Sequence, residues 1–297
     1  MKEISALEFF SGIGAFRLSA AEFAIEVKRA FDQSQDANRV YRHNFAELVC
    51  ARNLDTISGD EIPSADFWWM SPSCKPYSRR GKGADLDDQR ASSFINLLEA
   101  LSKHSPDYFA MENVYGFLGS RAEAKLDETL VKLNYSVRKV KLCPTQIGVP
   151  MQRPRLFVLA AKEERFADLK IPLLPKLSLQ DFIDPEAERN EELYLNEEQQ
   201  GKYFDSLNIV NPLDSEAKAI CFTSGYEQSM KASGSYIQTK NQRLRRFSPE
   251  EMLKLFGFPS EFQFPAEMSL RKKWVLLGNT IEQRTLKIAL TTLLSNR

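Results

Sequence analysis

With 297 residues the chain is long enough for a substantial core and for two domains, one large and one smaller. Its 40 basic residues balance 40 acidic ones, which argues against an overall basic field, so a nucleic-acid partner would need local patches. Four cysteines without CxxC spacing argue against a structural zinc or a disulfide framework, no apolar run reaches the ~18 residues of a membrane span, and Glu3 and Glu8 spoil a secretion signal; the expectation is a cytoplasmic protein, or a nuclear one in a eukaryote.

Residues 5–10 read as a first β-strand, ending in Ser11-Gly12-Ile13-Gly14-Ala15 before a helical pattern through Leu18, Ala21 and Phe23. Strand, glycine turn and helix open a doubly wound α/β fold of the kind that binds nucleotides. Arg17 stands where the third glycine of the dinucleotide fingerprint would be, so a nucleoside lacking a pyrophosphate fits better. The next strand, residues 24–31, ends at Asp32, which lies 18 residues beyond Gly14, close to the ~20 at which an acidic residue receives ribose hydroxyls. A third apolar run, residues 47–51, leads to Leu54 and Asp55, which strand order places at the adenine edge.

The stretch from Asp66 to Arg80, DFWWMSPSCKPYSRR, carries the strongest chemical signal. Phe67-Trp68-Trp69-Met70 suits a fully buried strand, and two prolines then hold a loop open around Cys74. A free cysteine is most often a small buried hydrophobe. Past the carboxyl end of a strand and flanked by Lys75, Arg79 and Arg80, whose charges lower a thiol pKa, Cys74 reads instead as a nucleophile. Lys82 follows in a polar, glycine-bearing segment, and with Arg79 and Arg80 it is a candidate for substrate contact. A helix over residues 90–101 leads to the apolar strand Tyr108-Phe109-Ala110-Met111, which ends in Glu112-Asn113-Val114. At the tip of a central strand Glu112 would face the same cleft as Cys74, its pKa raised by burial as a proton donor needs; capping the next helix is the competing role. With only His43 and His104 present, neither near a site signal, acid–base work falls to carboxylates. The HxE and PCxxC spacings of zinc deaminases are both missing, and no metal is expected.

Residues 137–143 and 155–160 read as strands around a loop in which Arg153 and Arg155 would share one face if extended, suiting a phosphate or a base carbonyl oxygen. From about residue 162 to 200 the composition turns acidic and polar, marking the passage into the smaller domain. The expected division is residues 1–168 plus 269–297 for the large domain and 169–268 for the small one. A second basic segment, TKNQRLRRF, offers Lys240, Arg243, Arg245 and Arg246 to phosphates, with a solvated face as the plain alternative. WVLLGNT, from Trp274 to Thr280, and a helix over residues 281–294 close the chain.

In this order the pieces resemble the cytosine-C5 methyltransferases, over most of the chain. The resemblance rests on Phe10-Ser11-Gly12-Ile13-Gly14, Pro72-Ser73-Cys74, Glu112-Asn113-Val114, Arg153-Pro154-Arg155, LFGFP from Leu255 and LGNT from Leu277. Cys221-Phe222-Thr223, the following SGYEQSMKASGSYIQT and the short small domain resemble the tRNA-modifying branch, the family historically called DNA methyltransferase homologue 2. The resemblance implies a Rossmann-like α/β sheet dependent on S-adenosyl-L-methionine, with a smaller target-recognition domain. It implies Cys74 adding to C6 of a flipped-out cytosine, Glu112 at N3, and Arg155 and Arg153 on the base oxygen or a phosphate. Phe10, Gly12, Ile13, Gly14 and Ala15 would carry the cofactor, with Asp32 on its ribose, Leu54 and Asp55 at its adenine, and Asn279 and Thr280 closing the pocket. Cys221, Phe222 and Thr223 would meet the RNA. The implied substrate is the anticodon stem-loop of a tRNA, at cytosine 38 and typically of aspartate tRNA, since a base is more easily drawn from a loop than from a duplex. Weak action on DNA and a monomeric state are also expected. Family members usually have Pro-Pro-Cys-Gln where this chain has Pro72-Ser73-Cys74-Lys75, so the loop should be less fixed and the enzyme functional but slow. A DNA cytosine-C5 methyltransferase is the nearest rival, and an RNA-binding relative with decayed activity the next.

Overall fold

The computed structural model describes residues 3–46, 49–77, 84–163, 166–172 and 175–294. Contacts divide the chain into two compact units, Met1–Leu142 with Pro154–Lys170 and Thr285–Arg297, and Cys143–Arg153 with Ile171–Arg284.

The larger unit is built on seven strands: β1 Ile4–Phe9, β2 Ile25–Phe31, β3 Val49–Cys50, β4 Phe67–Met70, β5 Tyr108–Asn113, β6 Ser136–Leu142 and β7 Arg155–Ala161. Their order across the sheet is β3-β2-β1-β4-β5-β7-β6. β1 to β5 pair in parallel, whereas β7 runs antiparallel to both of its neighbours. Parallel strands are covered on both faces, which is why Phe67-Trp68-Trp69-Met70 can be apolar at every position and buried at every position. One core gathers Phe9, Phe31, Trp68, Met70, Phe94, Leu97, Phe109 and Met111. Strand order reverses between β1 and β4, the place where a doubly wound sheet opens a crevice at its carboxyl edge.

Four helices of this unit are α1 Ala15–Ala20, α2 Gln35–Phe45, α3 Ser92–His104 and α4 Arg121–Lys132. Capping sets their limits. Ser34 Oγ accepts from Ala37 N at 3.2 Å to start α2, and Ser120 Oγ accepts from Glu123 N at 3.0 Å to start α4. α1 is shorter than its apolar pattern suggests, because a 3-10 turn over Ala21–Phe23 ends it at left-handed Ala24. The helix expected from residue 90 begins at Ser92, since Asp88 caps a separate 3-10 turn over Gln89–Ala91. Of the run 47–51, Val49–Cys50 pairs with β2, and Glu47 and Leu48 lie outside the described residues.

The smaller unit holds a three-stranded sheet, β8 Asn208–Val210, β9 Ser235–Gln238 and β10 Leu244–Arg246, in the order β10-β9-β8. Three helices, α5 Glu197–Tyr203, α6 Pro249–Leu255 and α7 Leu270–Asn279, accompany it; α8 Gln283–Leu294, which from Thr285 onward belongs to the larger unit, ends the described chain. Its core is aromatic: Phe222, Tyr226, Tyr236, Phe247, Phe256 and Trp274 are all buried. Contacts move the expected domain limits. Cys143–Arg153 and residues 269–284 belong with the smaller unit, tied there by Arg153 and by Gly278 against Thr223. Among the described residues, no helix is long and apolar enough to cross a membrane.

Candidate active site

Four strand ends converge on the carboxyl edge of the large sheet. β1 delivers the glycine turn, β4 the Cys74 loop and β5 Glu112; because β7 is antiparallel, its first residue, Arg155, reaches the same edge.

The glycine turn is held by its backbone. Ser11 N donates to Phe31 O and Gly14 N to Ser11 O, both at 3.0 Å, and Phe10, Gly12 and Gly14 take φ of 58°, 55° and 91°. Glycine matters at Gly14 for two reasons: its left-handed φ, and a Cβ there that would lie 2.3 Å from the Phe45 ring. At Gly12 a Cβ would meet nothing within 4 Å, so the turn faces open space. Asp32 grips this turn, its Oδ2 accepting from Gly12 N at 2.8 Å and its Oδ1 from Ser34 N at 2.7 Å. Burial pushes the Asp32 pKa up, against the pull of those two N–H groups. Ser11 Oγ is buried without a hydrogen-bond partner, an open valence beside the open space at Gly12. Half-buried Phe10 packs on the core that also contains Leu54.

Such a turn fits the nucleoside end of S-adenosylmethionine: an aromatic ring at Phe10, a carboxylate at Asp32, an unused hydroxyl at Ser11 and no pyrophosphate cradle. Other residues expected to touch the cofactor lie deeper. Ile13, Ala15 and Leu54 have 2%, 5% and 1% exposure, and Leu54 O already accepts from Asn96 Nδ2 at 2.8 Å, so Leu54 is wall and not edge. Asp55 receives the Ser93 hydroxyl and, at 2.9 Å, donates its own N–H to Asn53 Oδ1. Below the turn lies a group that sequence reading passed over. Glu8 is 1% exposed, receives Tyr41 OH at 2.8 Å, and is pushed by burial up to a pKa of about 8.

The nucleophile loop is pinned from both sides. Ser71 Oγ donates to Phe10 O at 2.8 Å, Asn113 Nδ2 donates to Pro72 O at 3.2 Å, and Tyr77 N closes a turn on Cys74 O at 3.1 Å. Register carries Cys74 and Glu112 to one gap, since Met70, four residues before the thiol, pairs with Met111, one before the carboxyl. Gly116, on the 3-10 turn after β5, lets that gap close: a Cβ there would sit 2.1 Å from Tyr77 O. Cys74 is half-buried, and Pro72 behind it is buried. Lys75 is exposed beside it, Arg90 is near enough for its charge to interact with the thiol, and Arg79, Arg80 and Lys82 lie outside the described residues. Arg90 was not foreseen, being 16 residues along the chain from Cys74.

Glu112 and Arg155 form an ion pair, Nε to Oε1 at 2.8 Å, with side chains 10% and 11% exposed. Arg155 supplies the partner that a buried carboxylate requires. It also donates to Pro154 O at 2.8 Å.

Several expected substrate contacts prove structural. Arg153, 2% exposed, donates through Nη1 to Phe222 O at 2.7 Å and Cys221 Sγ at 3.3 Å, and through Nη2 to Gly278 O at 3.1 Å and Thr280 O at 2.5 Å. Its guanidinium binds together the Cys-Phe-Thr and LGNT segments of the smaller unit. Arg245 is sealed in a two-pronged pair with Glu251, at 2.8 and 2.7 Å and 0% exposure on both sides. Arg246 is 5% exposed and lies over the Trp274 ring at 5.6 Å. Arg243 is bound by Glu191 at 3.0 and 2.6 Å and stacks 3.7 Å above the Tyr194 ring. Lys240 is exposed. Phe222 is fully buried among Tyr226, Phe247 and Phe256, while Thr223 Oγ1 donates to Ser233 O at 3.4 Å and Cys221 is half-buried. Asn279 is exposed and Thr280 buried. Alternation on β10 explains little here; arginines enter the core because Glu251 and Trp274 are there to meet them.

The doubly wound sheet, with a loop thiol and a strand-end carboxyl at one edge, is the arrangement expected of a cytosine-C5 methyltransferase. Residues 4–293 match the family of C-5 cytosine-specific DNA methylases, and the chain belongs to that family. It is 28% identical to a Dictyostelium discoideum DNA (cytosine-5)-methyltransferase, over 99% of this chain and 95% of that one. It is 27% identical to the tRNA (cytosine(38)-C(5))-methyltransferase of Schizosaccharomyces pombe, over 99% and 97%. Among solved structures, the Entamoeba histolytica methyltransferase EhMeth superposes with a TM-score of 0.91 at 26% identity, covering 99% of both chains.

Proposed function

We propose that this enzyme methylates C5 of cytosine 38 in the anticodon loop of a tRNA, aspartate tRNA first among candidates, through a covalent bond between Cys74 Sγ and C6 of the base. The observation that carries the reading is the delivery of a half-buried thiol and a paired carboxyl to one gap between β4 and β5. Similarity to the S. pombe tRNA (cytosine(38)-C(5))-methyltransferase, across nearly the full length of both chains, favours RNA. The Dictyostelium relative keeps duplex DNA as the second reading.

Cys74, as thiolate, adds to C6, aided by the positive charge of Arg90. Glu112 shares a proton with N3, drawing charge off the ring so that C5 becomes a nucleophile; Arg155 holds that carboxyl and faces the base oxygen. Phe10, Ser11, Gly12 and Asp32 would hold S-adenosylmethionine, whose sulfonium would supply the methyl group and leave as a thioether. Departure of the C5 proton then restores the ring double bond and expels Cys74. Asn113 and Gly116 keep the loop where the thiol can reach C6.

Methyl transfer to a tRNA transcript and to duplex DNA, compared at one salt concentration with bisulfite mapping of the product, tests the reading. Transfer to tRNA at a single anticodon-loop cytosine, lost in Cys74→Ala, is the expected result. Equal or better transfer to duplex DNA would move the assignment to the second reading.

A further inference from the structure

The smaller unit has a cavity of its own. About 390 Å³ in volume, it opens beside the turn between β9 and β10, walled by Ile183, Pro212 and Ile237 and edged by Gln238, Lys240 and Gln242. That size falls within the roughly 300–1,000 Å³ of small-ligand sites.

Its polar edge is organised. Gln238 Nε2 donates to Gln242 Oε1 at 2.7 Å, joining the two amides. The bond leaves Gln238 Oε1 as an acceptor and Gln242 Nε2 as a donor on adjoining groups, the complement of the adjacent donor and acceptor along a nucleobase edge. The turn holds this arrangement at a cost, since Gln242 takes a left-handed φ of 62°. Gln242 N donates to Thr239 O and Thr239 N to Arg243 O, both at 2.9 Å, and Arg243 is anchored on Glu191 and Tyr194.

Four other amides of this unit are used internally. Gln146 accepts from Cys143 N, Asn190 from Glu192 N and Asn196 from Gln199 N, and Gln200 donates to Leu195 O. Side chains of Gln238 and Gln242 bond only each other among the described residues. Lys240 sits exposed at the rim with no ion-pair partner among the described residues, whereas Arg243, three residues on, is taken by Glu191.

We infer that this cavity takes an unpaired nucleotide of the RNA, distinct from the methylated cytosine, its base edge on Gln238 and Gln242 and its phosphate on Lys240. The inference rests on RNA being the substrate. Apolar wall residues for a planar base and one cation at the rim match the pairing of base contact with phosphate attraction by which single strands are bound.

Two measurements on the full chain test it. At least one of the four ribonucleoside 5′-monophosphates, titrated into protein with labelled glutamine side-chain nitrogens, should move the Gln238 and Gln242 amide resonances saturably, while ribose 5-phosphate should not. With a tRNA transcript, Gln238→Ala combined with Gln242→Ala should raise KM ~10-fold and leave kcat within about twofold, the loss of one good edge contact. Lys240→Ala should lower the salt slope of tRNA binding by about 1. Amide resonances unmoved by all four nucleotides, or an unchanged KM in the double variant, would overturn the inference. Should the protein methylate no tRNA, the nucleotide titration alone decides, so failure of the cavity and failure of the tRNA reading are told apart.

Discussion

Charged pairs in the two units are built to opposite ends. Glu112 and Arg155 meet at the edge of the large sheet and keep 10% and 11% of their side-chain surface exposed; Arg245 and Glu251, in the smaller unit, keep none. A pair left reachable can take a substrate group as a further partner. A sealed pair cannot, because removing either member strands a charge in a low-dielectric interior. Arg153 belongs with the sealed kind, its hydrogen bonds given to Phe222, Gly278 and Thr280 carbonyls.

If that contrast is right, mutation should separate rate from stability. Glu112→Gln, at the reachable pair, should lower kcat by roughly 10²–10⁴-fold, the range of a general acid–base group, and lower the urea midpoint less than a break in the sealed pair does. A lost midpoint instead would put Glu112 with the sealed pairs. Arg245→Met should do the reverse, lowering unfolding free energy by about 3–5 kcal/mol in urea titrations, with Arg245→Met/Glu251→Leu recovering much of the loss. A double variant no better than the single one would show that no buried charge had been stranded.

Glu8 is sealed, and burial outweighs the pull of the Tyr41 hydroxyl and of nearby Arg17, so its effect should depend on pH. Below about pH 4.5 folded and unfolded chains both carry its proton; between there and about pH 8 only the folded chain does, so stability falls as pH rises through that window. Glu8→Gln should abolish this part of the decline and stabilise the protein at pH 8 by an amount on the order of 2–4 kcal/mol. Parallel pH–stability curves for the two proteins would contradict it.

Smaller effects belong to the open side. Gly116→Ala, pressing on Tyr77 O, should lower kcat about 10-fold with cofactor affinity retained, and slow alkylation of Cys74 by iodoacetamide. An unaltered alkylation rate would mean that Gly116 does not position the thiol loop. Ser73→Pro should raise turnover a few-fold if loop order limits the rate; an unchanged or lower rate would show that the loop is already fixed by Ser71 and Asn113.

Much of the larger unit was legible because period and punctuation agree there. An apolar run that ends in Pro72 or Gly12 can only be a strand reaching a loop, and the parallel order then collects Phe10, Asp32, Cys74 and Glu112 at one edge. Antiparallel β7, which brings Arg155 to that edge by its first residue, was not visible in the two-residue spacing to Arg153. TKNQRLRRF misled for a physical reason. A short strand shows its cations to solvent or to buried partners alike in sequence, and Glu251 and Trp274, which receive Arg245 and Arg246, are distant in the chain. Arg90 near Cys74, and the fit of Gly116 to Tyr77 O, likewise depend on chain crossings that no local pattern records.

The bond from sulfur to pyrimidine is the most direct point of test. A tRNA transcript containing 5-fluorocytidine, incubated with enzyme and S-adenosylmethionine, cannot lose its C5 substituent, so the adduct should persist as a protein–RNA band in denaturing gels, mapping to Cys74 and absent in Cys74→Ala. Methyl transfer to unmodified tRNA without such a band, or a band that survives Cys74→Ala, would contradict it.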